Sequence, residues 1–425
     1  MHIGVVGAGV VGVTTAWVLQ QRGHQVTVIE PHTQAGMETS KANAGQRSYG
    51  FVYPWASPAM IKKAVPWLLQ ADGPLKIPFP PSAATLRFLW LTWRYAHQSG
   101  LFEANKIAML TLGKLSRDCF HELERHHPFD YSGGQRGLME LASSPANLQG
   151  LANNAALLAR LGIEHEMLDR QAVYHHEPGL NQEDTLVGGL RLADDGTGDC
   201  QQFTQTLATK CQTAGVRFLY GHAATAVITD GGLPVGLHLA SPDPSTPPEC
   251  EQLEADAFVL CAGNASPDLA RQLGLRLPTY PVKGYSLTAA VTHPERAPQS
   301  TILDDQYKVA MTRLGDRLRV TGFVELADFN RTLPERRLAT LRRAVALRFP
   351  GAVDVSTAEA WAGFRPMTPD GPPVIGQGSS NNVFINTGHG TFGWTLSMGS
   401  AQLIGQLVDG ETPVISLDRF RPDRF

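Results

Sequence analysis

Arg365 is the residue of this chain best suited to binding chemistry. It stands in a turn-rich frame, Gly363-Phe-Arg-Pro-Met-Thr-Pro-Asp-Gly371, between Phe364 and Pro366. A guanidinium keeps its charge at physiological pH and grips a carboxylate through two parallel N–H donors, which a lysine cannot copy. Asp370 in the same frame offers the competing role, a structural ion pair. From Gly371 to Val408 the chain then carries no Asp, Glu, Lys or Arg. The stretch is full of Gly, Pro, Asn and Thr, so it does not read as a membrane span. It suits a planar, uncharged ligand face with one fixed cation nearby.

The second chemical feature lies at the other end of the chain. His2-Ile-Gly-Val-Val6 reads as a short apolar strand, and Gly7-Ala-Gly9-Val10-Val11-Gly12 as a turn into a helix reaching about Arg22. Gln25-Val-Thr-Val-Ile29 is a second strand, ending in Glu30. In that context Gly7 permits the turn, Gly9 lets backbone approach a pyrophosphate, and Gly12 lets the helix pack against the strand. The helix N-terminus at Val10 and Val11 offers free N–H groups and a positive dipole end to phosphates. Glu30 stands where a carboxylate accepts hydrogen bonds from ribose hydroxyls and repels a 2′-phosphate, which favours FAD or NAD over NADP. The polar loop Glu38-Thr-Ser40-Lys-Ala-Asn43-Ala44-Gly45-Gln46 follows directly. Such a loop can fold back over the phosphates and present backbone to a flavin ring, although alone it reads more simply as a surface loop. Together the two ends point to a flavin dinucleotide beside a small anionic substrate.

Other candidates carry less. Gly388-His389-Gly390-Thr391 leads through Gly393 into a helix opening near Trp394-Thr395. Its N-terminus, aimed at the pyrimidine edge of a flavin, would stabilise negative charge on the reduced ring. His389 invites the role of a base, but hydride transfer to a flavin needs none at carbon. Lys283 reads as a solvated strand-end lysine. His126-His127 and His175-His176 lack partners at metal spacing, so no metal site is expected. The five cysteines are scattered without a CxxC, which argues against a disulfide scaffold and fits a reducing compartment.

The elements that must position these residues fit a chain of two to three domains at 425 residues. A net charge of −3 with no basic run excludes a nucleic-acid binder. Residues 3 to 21 carry no charge, but their glycines read as strand, turn and helix rather than a signal peptide. Residues 50 to 130 begin Pro-rich and become helical, with Leu112, Leu115, Cys119 and Leu123 on one apolar stripe. Phe88-Leu-Trp-Leu-Thr-Trp93 reads as a buried helix in preference to a membrane-surface patch. Asp199 caps a helix that ends near Gly215, 241–251 is a Pro-rich excursion, and Ala257 to Gly263 is a buried strand ending in small residues. Tyr307 to Arg313 and Leu318 to Phe323 form a hairpin around Gly315-Asp316, followed by a helix from Pro334 to about Phe349.

Taken in order, GAGVVGVTTAW, ETSKANAGQ, GGLRLADDGTGDCQQFTQTLA, PVKGYSLT, STILDDQYKVAMTR, GFRPMTPDGPPVIG and NTGHGTFGWT closely resemble the small-subunit, flavin-binding type of bacterial D-amino acid dehydrogenase, of the D-amino acid oxidase superfamily. The resemblance spans nearly the whole chain. It implies an α/β (mixed α+β) fold: a Rossmann-like FAD-binding domain from residues 1–50, 135–275 and 355–425, and a substrate domain with a mostly antiparallel sheet from 51–134 and 276–354. It implies FAD held by Gly7, Gly9, Val10, Val11, Gly12, Glu30, Ser40, Asn43, Ala44, Gly45, Gln46, Val227, Ala262, Gly263, Gly388, His389, Gly390, Thr391, Gly393 and Thr395. Arg365 would grip the substrate carboxylate, helped by Tyr307, with Tyr53 also at the substrate. The activity implied is oxidative deamination of D-amino acids to 2-oxo acids and ammonia by hydride transfer to flavin N5. Electrons would pass to a quinone or another non-oxygen acceptor, in a cytoplasmic protein with peripheral contact to the inner membrane. One departure stands out: Arg47, Tyr49 and Tyr53 replace smaller or apolar residues, which shifts the expected side-chain preference. Oxidation of cyclic or N-substituted amino acids such as D-proline, or a purely electron-transferring flavoprotein subunit, are the alternatives.

Overall fold

In a computed structural model, residues 1–55, 57–70, 73–134, 136–183, 185–243, 245 and 251–425 are described. Most of the Pro-rich excursion expected at 241–251, with Cys250, lies outside them. A six-stranded sheet runs in the order Val374–Gln377, Val383–Thr387, Ala257–Leu260, His2–Val6, Gln25–Glu30, Arg217–Tyr220. All neighbours pair in parallel except the Val374–Gln377 edge. Helices Val10–Gln21, Cys200–Thr213 and Gly393–Val408 share one core with these strands. Burial on both faces explains strands that read as continuous apolar runs. Asp199 caps its helix as expected, its Oδ1 accepting from the N–H groups of Gln201 and Gln202 at 3.0 and 3.2 Å.

A second sheet runs Glu359–Met367, Tyr280–Ala290, Arg317–Glu325, Val309–Leu314, Thr301–Asp304, Leu138–Ala142, Gly188–Leu192, Glu166–Asp169. Side chains on a strand alternate between faces, and the sheet uses this cleanly. Met139, Ile302, Val309, Met311, Val320, Leu287 and Ala362 share a core with helix Glu335–Arg348. The intervening Glu140, Leu303, Ala310, Thr321, Trp361, Gly363 and Arg365 line a cavity. Strands Leu138–Ala142, Glu166–Asp169 and Gly188–Leu192 thus belong to this sheet, although their stretch of sequence was expected in the dinucleotide unit.

Two expectations change. The hairpin forms between Val309–Leu314 and Arg317–Glu325, and Tyr307 precedes it in a turn where Asp304 Oδ1 accepts from its N–H at 3.1 Å. Helix Ala83–Ala96 is buried on one face only: Phe88 stacks on Trp55 and Tyr280, while Leu86, Trp90 and Trp93 are 54%, 56% and 53% exposed. Among the described residues no helix is long and apolar enough to cross a membrane.

Candidate functional site

Both sheets and the loops between them line one cavity of about 1280 Å³. That exceeds the roughly 300–1,000 Å³ usual for a single small ligand and leaves room for a dinucleotide with a substrate. At its dinucleotide end stand Gly7, Gly9, Val10, Val11 and Glu30. Gly12 does not line the cavity; a Cβ there would lie 1.8 Å from the Gly7 carbonyl oxygen, so only glycine lets the helix sit this close. Glu30 is held by the N–H groups of Ala8 at 2.7 Å and His32 at 3.1 Å, and burial raises its pKa. Ser40 Oγ reaches across to accept from Val10 N–H at 3.0 Å, which ties the 38–46 loop to the helix N-terminus. Ser40, Asn43, Ala44 and Gln46 line the cavity, whereas Gly45 turns away to accept from Gly198 N–H at 2.9 Å.

Across from this loop, Ala262, Gly263, Gly388, His389, Gly390, Thr391 and Gly393 complete the lining. His389 Nε2 lies 3.2 Å from Ser400 Oγ, and burial lowers its pKa to about 3. Burial thus disfavours the protonated ring. Thr395 lies behind the wall, accepting from Ser48 N–H at 3.0 Å. Val227 is likewise off the cavity, its N–H given to Gln272 at 2.9 Å; its strand neighbours Ala223, Ala224 and Thr225 take the lining position. At this end the lining side chains Gln46, Asn264, Asn386 and Trp394 each hold a buried polar atom with no hydrogen-bond partner. Such orphans are costly unless a ligand satisfies them, so a polar cofactor of the FAD type fits this end.

The cation is built from three strands. The Phe364 carbonyl is fixed by Thr39 Oγ1 at 2.7 Å and Asn264 Nδ2 at 2.9 Å. The next side chain, Arg365, crosses the neighbouring strand where that strand has no side chain: a Cβ on Gly284 would meet the guanidinium at 2.5 Å. Nη1 then donates to the Phe323 carbonyl at 3.0 Å. Among the described residues no carboxylate pairs with Arg365. The expected competitor, Asp370, is taken by Arg424 at 2.8 Å instead. Desolvation alone lowers the Arg365 pKa to about 10, which still leaves it charged at neutral pH. A buried, unpaired guanidinium is costly, and an incoming anion removes that cost.

The other expected substrate residues stand elsewhere. Tyr307 lines a separate cleft of about 360 Å³ with Trp67, Gln70 and Thr340, its ring 5.7 Å from the Arg348 guanidinium. It does not reach the main cavity, because the strand begins two residues later than its pattern suggests. Lys283 is fully buried rather than solvated, and its Nζ donates to the Thr332 carbonyl at 2.5 Å. Of the unusual loop, Arg47 is an interior strut, paired with Glu124 at 2.5 Å and bonded to Tyr131 at 2.7 Å; Tyr49 is core. Tyr53 lies just behind the lining, its hydroxyl accepting from Asn154 Nδ2 at 3.1 Å, while Phe51 faces the cavity. Among the described residues no cluster of His, Cys, Asp and Glu could hold a metal ion.

Comparison with known proteins agrees with this geometry. The family model "FAD dependent oxidoreductase" (DAO) matches residues 2–407. A D-amino acid dehydrogenase of Agrobacterium fabrum is 42% identical, covering 100% of both chains, and one of Vibrio cholerae is 41% identical, covering 99% of both. Among solved structures, glycine oxidase from Geobacillus kaustophilus superposes with a TM-score of 0.76 at 22% identity, over 100% of this chain and 98% of its own. L-proline dehydrogenase from P. horikoshii gives 0.74 at 16% identity, over 100% and 97%. These two show the fold; the family match over nearly the whole length shows the family. A glycine-framed dinucleotide cradle, an unpaired buried arginine and that match together place the chain in the DAO family of FAD-dependent oxidoreductases.

Proposed function

We propose that this oxidoreductase deaminates D-amino acids to 2-oxo acids and ammonia. The unpaired Arg365 guanidinium, buried and facing the cavity, carries the reading. The relatives at 41–42% identity are named for D-amino acids, which supports the choice of substrate hand. FAD, when bound, supplies the acceptor for two electrons and a proton's worth of hydrogen as hydride.

The chain's own residues do the rest. Arg365 takes the α-carboxylate in a bidentate grip, with Phe323 carbonyl and the Gly284 gap fixing the fork. That grip orients the α-hydrogen and leaves the amine lone pair free to expel hydride from the α-carbon. Hydrolysis of the imino acid then releases the 2-oxo acid and ammonia. The N-terminus of helix Gly393–Val408 and its preceding turn lie at the cavity wall, where their N–H groups would stabilise negative charge on the reduced ring.

Electrons pass to a quinone or other non-oxygen acceptor, and the exposed Leu86, Trp90 and Trp93 face supports peripheral contact with a membrane that carries it. The test is one spectrum: anaerobic addition of D-alanine, D-proline and their L-enantiomers to the flavin-loaded protein. Bleaching by D- and not L-amino acids is expected. A flavin that none of a broad D-amino acid panel bleaches would rule the activity out.

A further inference from the structure

Beyond Arg365 the cavity continues along the same sheet face to a carboxylate that no role above uses. Register places Thr321 beside Ala310, Ala310 beside Leu303, and Leu303 beside Glu140, and all four line the cavity. The Phe323 carbonyl that holds Arg365 is on the Thr321 strand, two residues on. The strand that carries Thr321 and the strand that carries Glu140 are three backbone spacings apart, about 14 Å, with the Phe323 carbonyl two residues further along.

Glu140 is set up to receive a donor. Its Oε1 is buried and has no hydrogen-bond partner. Tyr53 hydrogen-bonds the carboxyl, and burial pushes it up to about 7 despite the charges of Lys106 and Lys308. Neither lysine closes on it. Lys106 Nζ donates to Asn154 Oδ1 at 2.5 Å, lies 4.6 Å from the Tyr53 ring centre and does not line the cavity. Lys308 pairs with Asp305, and Asp304 with Arg348. The lining groups around Glu140 are therefore matched among themselves, and its free oxygen is the odd one out.

The separation of the two strands sets the scale of the ligand. The α-carboxylate and the terminal nitrogen of an extended lysine or arginine are roughly 8 Å apart by bond lengths. A hydrogen bond of about 3 Å at either end brings the total to about 14 Å. Resting on the D-amino acid reading above, we propose that Glu140 selects the substrate side chain, and that the preferred substrates are D-amino acids ending in a basic group. The substrate's ammonium or guanidinium donates to Glu140 Oε1, and Tyr53, held by Asn154, is the positioning residue.

The test compares kcat/KM of the flavin-loaded protein for D-lysine and D-arginine against D-norleucine and D-methionine, which match them in length without the charge. A preference for the basic pair of about tenfold or more is expected, since a site built to hydrogen-bond a group rejects the analogue lacking it. Glu140→Gln should cut the basic pair by about 30-fold, mainly through KM, while D-norleucine stays within about threefold. Equal rates for D-lysine and D-norleucine in the natural protein would overturn the inference. So would a Glu140→Gln variant, normal in flavin content, that slows both classes alike, because that is the mark of a structural role. The arms also separate two failures. Oxidation of D-norleucine without a basic preference removes this inference alone; no oxidation of any D-amino acid removes the activity beneath it.

Discussion

At the scale of the residue, function turns on one guanidinium denied a carboxylate by its own protein. Arg365 Nη1 has the Phe323 carbonyl at 3.0 Å, which orients it but leaves its charge unmatched. Replacing it by lysine keeps the charge and loses the fork. Arg365→Lys should cost about 2–5 kcal/mol in kcat/KM, as for truncating one member of a buried charge pair. The flavin spectrum should be unchanged, and an unaltered kcat/KM would remove Arg365 from the site. A second prediction uses pH. Burial lowers the Arg365 pKa to about 10, and a bound anion raises it again. By linkage the cationic form binds and the neutral form does not, so affinity is level at neutral pH and falls as pH rises through about 10. Titration with a simple carboxylate competitor that lacks an amine, followed by flavin absorbance, avoids the substrate's own ammonium. Affinity flat to pH 11 would show that the guanidinium keeps its charge in spite of burial.

At the scale of the element, the site depends on backbones brought closer than side chains permit. A Cβ on Gly12 would sit 1.8 Å from the Gly7 carbonyl oxygen, and backbone cannot yield as a side-chain tip does. Gly12→Ala should therefore move the helix off its strand, giving a protein purified with little FAD and a lower Tm; a fully loaded variant would show that the packing tolerates the methyl. This geometry was legible in the sequence because glycine, strand and helix signals all lie within thirty residues of one another. The same holds for Glu30 and for the loop whose Ser40 caps Val10 N–H. Legibility fails where a role depends on strands far apart in sequence. Glu140 is an unremarkable strand residue until register sets it three strands from Arg317–Glu325, nearly two hundred positions away. Tyr307 stands outside the main cavity because its strand starts two residues later, at Val309. Arg47 and Tyr49 are unusual in type, yet their bulk fills core beside Phe120, Tyr131 and Trp394. In the inference above, the loop bears on specificity through Tyr53, which hydrogen-bonds Glu140.

At the scale of the whole molecule, electrons must leave a cavity that lies inside the protein, and the proposed membrane acceptor would meet the surface at its exposed aromatic face. Leu86, Trp90 and Trp93 lie at i, i+4 and i+7 on helix Ala83–Ala96, and Phe79 just before it is 94% exposed. Water-facing tryptophans at helical spacing are expensive unless they meet another surface, and Trp favours the bilayer interface. Net charge alone argues against such contact, since the chain carries −3 and bacterial inner leaflets are anionic. Charge is distributed unevenly, however: from Gly73 to Phe102 there is no Asp or Glu, while Lys76, Arg87 and Arg94 are present. Attraction would be local, and screened by salt within a Debye length of about 10 Å at 0.1 M. The protein should therefore sediment with anionic phospholipid vesicles, less so with zwitterionic ones, and salt should weaken but not abolish the binding. Trp90→Ser combined with Trp93→Ser removes apolar burial of roughly 1.5–3 kcal/mol per ring, enough to lower the bound fraction at least tenfold. Turnover with a water-soluble dye acceptor should be unchanged in that variant, because neither ring lines the cavity. Turnover with a quinone presented in vesicles should fall with binding. Equal sedimentation of the natural protein with and without vesicles would leave the aromatic face without a membrane role, and the acceptor would then have to reach the flavin through water.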